Sequence, residues 1–229
     1  MTATLTPAGA WQEMLEGNRR FVAGAPEHPH QDVDKRNQLA EGQAPMATLF
    51  GCSDSRLAAE IIFDKGLGDL FVVRNAGQVI GESIVASLEY AVAVLGVPLI
   101  VVLAHDSCGA VKAAIDGTAI DAAPLPPHIW KLIAPIVPAA RKVLAENGGT
   151  SPSHIDADLV GREHLRNTVR DVLQSSELIS AAIAEGRLGI VGANYRLAEG
   201  TAVPVITVGI DNVDTDTGGI APGSKEGSA

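Results

Sequence analysis

Four short apolar runs constrain this 229-residue chain more than any other feature: Met46–Phe50, Leu70–Val73, Leu99–Ala104 and Leu188–Val191. The first three lack the polar alternation of a half-solvated strand, so they suit strands covered on both faces of a parallel sheet. Between the second and third, Gly81–Gly96 places Ile84, Leu88, Ala91, Val92 and Leu95 on one side of a helix. A strand–helix–strand order of this kind implies a right-handed crossover. The Leu188–Asn194 and Val203–Gly209 runs flank a turn at Glu199-Gly200, which predicts an antiparallel hairpin at the sheet edge. Near the N-terminus, Trp11, Met14, Leu15, Asn18, Phe21 and Val22 recur at helical spacing over Pro7–Ala23, with Thr6 as N-cap, Pro7 at N1 and Gly24 as the stop. That stripe could pack on its own domain or on another subunit. Further helices are expected over Asp32–Glu41, His128–Glu146 and His154–Glu185, the last with a kink near Gly161, while Gly117–Pro127 reads as a linker. The expected architecture is one α/β domain over residues 1–229, with a mostly parallel central sheet and flanking helices. An N-terminal helical arm takes up residues 1–30, and residues 210–229 are read as a disordered tail.

Length and charge narrow the class of partner. A chain of this size supports one sizeable core. Its 27 acidic and 17 basic residues leave a formal charge of −10, which argues against nucleic acid or an anionic membrane surface as the main partner. The longest apolar run, Ala91–Ala104, is interrupted by Gly96 and Pro98 and falls short of the roughly 20 residues a spanning helix needs. The opening MTATLTPAGAW lacks the basic and apolar regions of a secretory signal, so a cytoplasmic protein is expected.

Both cysteines stand at strand ends. Cys52 follows the first run, in Gly51-Cys52-Ser53-Asp54-Ser55-Arg56, and Cys108 follows the third, in Ala104-His105-Asp106-Ser107-Cys108-Gly109. Carboxyl ends of strands form the ligand crevice of an open α/β sheet, which brings two thiols and one imidazole toward one point. Two thiolates and an imidazole are a ligand set of catalytic zinc, with a fourth position left open, and soft donors favour zinc over magnesium or calcium. Spacing alone equally admits two buried core thiols, and a Cys–His nucleophile pair is a third option. A redox pair fits less well, since no Cys-x-x-Cys is present. Asp54 and Arg56 can pair within their loop, either to brace the turn or as a dyad beside a metal. Arg74-Asn75-Ala76-Gly77 ends the second run at the same edge, and no Gly-Lys-Ser/Thr follows to make it a phosphate loop. His28, His30, His128, His154 and His164 are read as surface residues.

Together these segments resemble a known family. Cys52-Ser53-Asp54-Ser55-Arg56, Phe71-Val72-Val73-Arg74-Asn75-Ala76-Gly77, Glu89-Tyr90-Ala91-Val92 and His105-Asp106-Ser107-Cys108-Gly109 are similar, in order and separation, to the signature blocks of β-class carbonic anhydrases. The similarity extends over roughly residues 10–210. It implies Cys52, His105 and Cys108 as ligands of one Zn²⁺ per subunit and Asp54–Arg56 as the dyad. Asp54 becomes a fourth ligand in the closed form that some members adopt. Gln43, Phe71 and Tyr90 stand where plant-type members line the substrate pocket, which those members build at a dimer interface. Another subgroup carries a Trp three residues before the first Cys as part of a non-catalytic bicarbonate site; Leu49 stands there in this chain. The implied activity is reversible hydration of carbon dioxide, by a homodimer or a larger assembly of dimers. Hydrolysis of carbonyl sulfide or carbon disulfide on the same ligand set is the enzymatic rival, and a non-catalytic zinc or bicarbonate binder is the other.

Overall fold

Each apolar run becomes a strand, and their order explains how much of each is covered. The computed structural model describes residues 5–147, 155–211 and 213. Five strands, β1 (Ala47–Cys52), β2 (Leu70–Asn75), β3 (Leu99–His105), β4 (Gly189–Arg196) and β5 (Thr201–Val208), form one sheet in the order β2-β1-β3-β4-β5. The first four are parallel, and β5 runs antiparallel to β4. The expected α/β sheet with an antiparallel edge hairpin is therefore what the chain forms. β1 and β3 are buried along their whole lengths, as strands apolar on both faces require. β2 departs from the expectation: it lies at the edge, so Leu70–Val73 are only half-buried. At the other edge Pro204 sits where the β4–β5 register slips between Gly192 and Ala193, a position where its missing N–H costs no ladder bond.

Alternate residues of each strand feed two cores, one on either face of the sheet. Leu49, Val101, Leu103 and Val191 point to one face, against Trp11 and Met14 of α1 (Pro7–Val22) and Val111 and Ala114 of α5 (Gly109–Asp116). Phe50, Ile100, Val102 and Ile190 point to the other, against Ile84 and Leu88 of α4 (Glu82–Ala93). A short α2 (Val33–Leu39), capped by the Asp32 carboxylate on Lys35 N–H, stays outside this framework, whereas the single turn α3 (Ala59–Ile62) buries Ala59 and Ile62 in the first core. α3 was not expected, being a single turn too short to show a repeat, and α5 was implied only as the helix that the 117–127 linker leaves, with no bounds.

The two long helices anticipated near the C-terminus are both divided. The first becomes α6 (Pro127–Ile133), a 3₁₀ turn at Ala134–Ile136 and α7 (Val137–Glu146), because Pro135 cannot continue an α-helical hydrogen-bond ladder. The second becomes α8 (Ala157–Ser175) and α9 (Glu177–Ala184). Gly161 lies buried within α8 and the break falls at Ser176 instead. Extended backbone there lets its hydroxyl accept from Ile179 N–H while donating to Glu89 at 2.6 Å. His154 and most of the expected tail lie outside the described residues, but Ile210 is buried against the core, so packing continues past β5. Among the described residues no helix is long and apolar enough to cross a membrane.

The N-terminal arm packs on its own chain. Thr6 caps α1 through Gly9 N–H, and the Trp11 ring meets Phe63 edge-on with centroids 6.5 Å apart. Asn18, the one polar member of the stripe, is buried and fully used. Its amide donates to the carbonyls of Ile62 and Gly200, and its oxygen accepts from Ala202 N–H. Asn18→Ala would strand three backbone groups and should lower the unfolding free energy by about 3 kcal/mol in urea denaturation. A loss below about 0.5 kcal/mol would mean that water replaces the amide.

Candidate metal centre

Parallel pairing of β1 with β3, in register from Thr48–Ile100 to Gly51–Leu103, sets the two strand ends side by side. Cys52 is the last residue of β1, His105 the last of β3, and Cys108 the N-cap of α5. All three are buried, and their donor atoms lie within 4.8 Å of one another. The turn joining His105 to Cys108 needs a left-handed residue, and Ser107 takes that role with φ 50°. Asp106 braces the same turn by accepting from Leu197 N–H at 3.1 Å.

The protonation pattern of this cluster is what a cation needs. His105 Nδ1 lies 2.8 Å from the Asp106 carbonyl, so Nδ1 carries the proton and donates it. That leaves Nε2 as a bare acceptor, buried, with no hydrogen-bond partner. Such an orphaned atom facing two thiols fits a metal ligand, and it has no hydrogen-bond partner among the described residues. The Cys52 thiol is pulled down to about 4, first by its hydrogen bond with Cys108 and further by Gly77 N–H, which donates to Sγ at 3.3 Å. Cys108 is pushed up, because a second thiolate would face the first in a desolvated site. Without a cation the cluster therefore holds one negative charge readily and resists two. Both thiols are free.

Asp54 and Arg56 form the expected pair. Asp54 Oδ1 accepts from Arg56 N–H and Nε at 3.0 and 2.9 Å, and Oδ2 accepts from a guanidinium nitrogen at 2.7 Å. This bidentate contact holds the Asp54 carboxyl well below the usual carboxylate range. Its Oδ2 lies 4.0 Å from His105 Nε2, beside the cluster. Arg74 ties the loop down from β2, donating to the Cys52 carbonyl at 2.9 Å and to the Asp54 carbonyl at 2.6 Å.

Gln43, Phe71 and Tyr90 are not assembled with this cluster within one chain. Gln43 is exposed and precedes β1, at the opposite end of the strand from Cys52. Phe71 pairs with Thr48, four residues before Cys52, which is about 13 Å along a strand. Tyr90, 46% exposed on α4, lies against Phe71 with ring centroids 6.0 Å apart. Leu49 is buried in the core. His28, His30 and His128 are exposed as expected, whereas His164 is 3% exposed and lies behind the Cys52 loop. Its position on the apolar stripe Val160–His164–Thr168–Val172 was the sequence signal for burial.

Fold and site together define an α/β protein with a Cys₂His group, able to hold a metal, at the carboxyl edge of its sheet. Residues 47–202 match the model of the carbonic anhydrase family. Carbonic anhydrase 2 of Mycobacterium tuberculosis is 50% identical over 198 residues, covering 86% of this chain and 92% of that one. A carbonic anhydrase of Mycolicibacterium smegmatis is 45% identical, covering 85% and 91%. Among solved structures, a β-carbonic anhydrase of Coccomyxa in complex with acetazolamide superposes with TM-score 0.65 at 27% identity, covering 90% of this chain and 89% of that one. The chain belongs to the β-class carbonic anhydrases, which catalyse the hydration of carbon dioxide. If one ion is shared by the three donors, Cys52→Ser protein should keep less than about a tenth of the wild-type metal in elemental analysis. Equal metal in both would place the ion elsewhere.

Proposed function

We propose that this protein is a zinc-dependent carbonic anhydrase working as a cytoplasmic homodimer or an assembly of such dimers. The observation that carries the zinc reading is His105 Nε2, buried and unpartnered between two thiols. Two sulfurs and one imidazole nitrogen suit zinc over hard cations. Two thiolates, a neutral imidazole and Zn²⁺ sum to zero charge, which relieves the repulsion that keeps Cys108 protonated. Free thiols suit a reducing compartment.

The chemistry that zinc supplies when bound is a hydroxide nucleophile near neutral pH, through a fall in water pKa from ~15.7 toward ~7. A neutral ligand set acidifies water less than three histidines would, so an oriented acceptor has to help. Asp54 serves by accepting a hydrogen bond from the attacking water, which turns a lone pair toward the carbon of carbon dioxide. Arg56 keeps that carboxylate ionised and fixed. Water adds to carbon dioxide, bicarbonate forms and one proton leaves. In the closed alternative, Asp54 would be a fourth residue holding the metal, at the expense of part of its contact with Arg56.

Asp54→Ala should keep its zinc while hydration, followed by stopped flow, falls about 100-fold or more. Zinc retention with unchanged turnover would remove the dyad from the reaction. The pH dependence has a definite sign. Because the Asp54 carboxyl is depressed in the fold, its pairing with Arg56 is intact above the ordinary carboxylate pKa and fails only as pH falls through the lowered value. Asp54 is therefore ionised throughout the neutral range, and a rate that rises from about pH 6.5 to 9 reports proton loss by the attacking water. A flat profile over that range would contradict this assignment.

Substrate contacts require the second subunit. Gln43 is assigned as a donor to a bicarbonate oxygen, with Phe71 and Tyr90 as the apolar wall, and all three lie away from the metal cluster of their own chain. The half-buried β2 edge, with Tyr90 exposed on α4 and Val94 exposed just past its end, suits an interface with a second copy. A two-fold dimer has two equivalent sites, so a mixed dimer of Cys52→Ser and Gln43→Ala subunits should regain about half the wild-type turnover. Each parent homodimer should be impaired, Gln43→Ala by about tenfold or more. A mixed dimer no better than the average of its parents would place Gln43 in its own subunit's site.

A further inference from the structure

Behind Cys52 lies a polar chain that the reaction scheme does not use. Gly77, whose N–H donates to Cys52 Sγ, has φ +82°, and Gln78 after it has φ 42°. Two successive left-handed residues make a backbone that needs external restraint. A Cβ at Gly77 would stand 2.9 Å from Ala110 Cβ and 3.0 Å from Ile136 Cδ1, so the loop is pressed against α5 and the 3₁₀ turn. The carbonyl side is held from α8. His164 Nε2 lies 2.8 Å from the Gly77 carbonyl, and the Thr168 hydroxyl, one turn on, reaches the Gln78 carbonyl at 3.4 Å and the His164 carbonyl at 3.0 Å.

The tautomer of this histidine is fixed. A carbonyl only accepts, so Nε2 carries the proton; Nδ1 is buried with no partner, and burial keeps the ring neutral. An unpaired buried nitrogen has a cost, and a purely apolar side chain would fill the space without it. What the imidazole adds is one donor aimed at one carbonyl.

We propose that His164 is a positioning residue for the metal centre: by anchoring the Gly77 carbonyl it holds the Gly77 N–H on the Cys52 sulfur. The inference rests on the reading of Cys52 as a zinc ligand. A thiolate that accepts a peptide N–H bond passes less charge to its ion, and outer hydrogen bonds of this kind tune both affinity and electronics. Releasing the Gly77 carbonyl frees the residue to turn about its own dihedrals and carry its N–H off the sulfur; the Cys52 loop is then less firmly positioned, so the ion escapes faster, while the sulfur, when bound, donates more charge.

The test compares full-length His164→Leu, His164→Asn and His164→Gln with wild type. Glutamine can place an N–H where Nε2 stands, whereas asparagine is too short. Zinc loss to a chromogenic chelator should be about tenfold faster or more in His164→Leu and His164→Asn, and close to wild type in His164→Gln. In the cobalt-substituted proteins, the sulfur-to-cobalt charge-transfer band should shift to longer wavelength in the first two and return in the third. A histidine with a merely structural role would not move that band. Should the leucine variant fail to fold, the asparagine–glutamine pair decides. Should none fold, ¹⁵N spectra of wild type do: His164 Nε2 should be protonated, with a resonance that moves on zinc loading. Wild-type protein that takes up no zinc would overturn the metal reading itself. Zinc-binding wild type with unchanged kinetics and band in the variants, or with an immobile Nε2 resonance, would overturn only the role of His164.

Discussion

Everything at the metal centre depends on β1 and β3 being parallel neighbours in the middle of the sheet. Parallel neighbours end on the same side, so a cysteine closing one strand and a histidine closing the other must meet. Strands in that position are covered on both faces and cannot shift without unpacking two cores. The donors are thus held by the most rigid part of the molecule, and the small turn carrying Ser107 has only to deliver Cys108. Rigid support matters because a ligand set that must first be gathered loses affinity to the cost of ordering it.

Around that frame the backbone does most of the electrostatic work. Gly77 N–H reaches one sulfur, and the Asp106 carbonyl fixes the tautomer of His105. Arg74 reaches back from β2 to two carbonyls of the Cys52–Asp54 loop. Asp54 and Arg56 pair within their own loop, and the guanidinium also reaches the Ser107 carbonyl at 3.4 Å. That arrangement leaves the interior of the cluster with lone pairs and no competing cation.

Much of this was legible in the sequence because it follows from periodicity and punctuation. Apolar runs without alternation located the central strands, and cysteines placed right after them located the cluster. The failures have physical causes. Leu70–Val73 look as apolar as β1, but local sequence does not say that β2 is outermost. Helix breaks were misplaced because a proline at position 135 was outweighed by the surrounding helical pattern, and Ser176 marks a boundary only through its contact with Glu89 on another element. His164 was missed because a histidine taken alone looks solvated; the signal lay in Val160 and Thr168, four residues away on the same face, and the carbonyl that engages it belongs to a distant loop. Asn18, counted as a gap in a stripe, is the polar tie that locks the arm to its own chain.

The proline and register slip in β5 bear on a different question, which is how the sheet is kept from growing. An outer strand with an unbroken row of amides invites another strand to dock. Pro204 removes one amide from that row, the irregularity twists its neighbours, and Asn18 of α1 occupies Ala202 N–H. β2 carries no proline, and its side chains remain half-uncovered. The two margins of the sheet are chemically unequal, one blunted and one receptive. Strand addition is thereby discouraged at the hairpin side and left to the β2 margin.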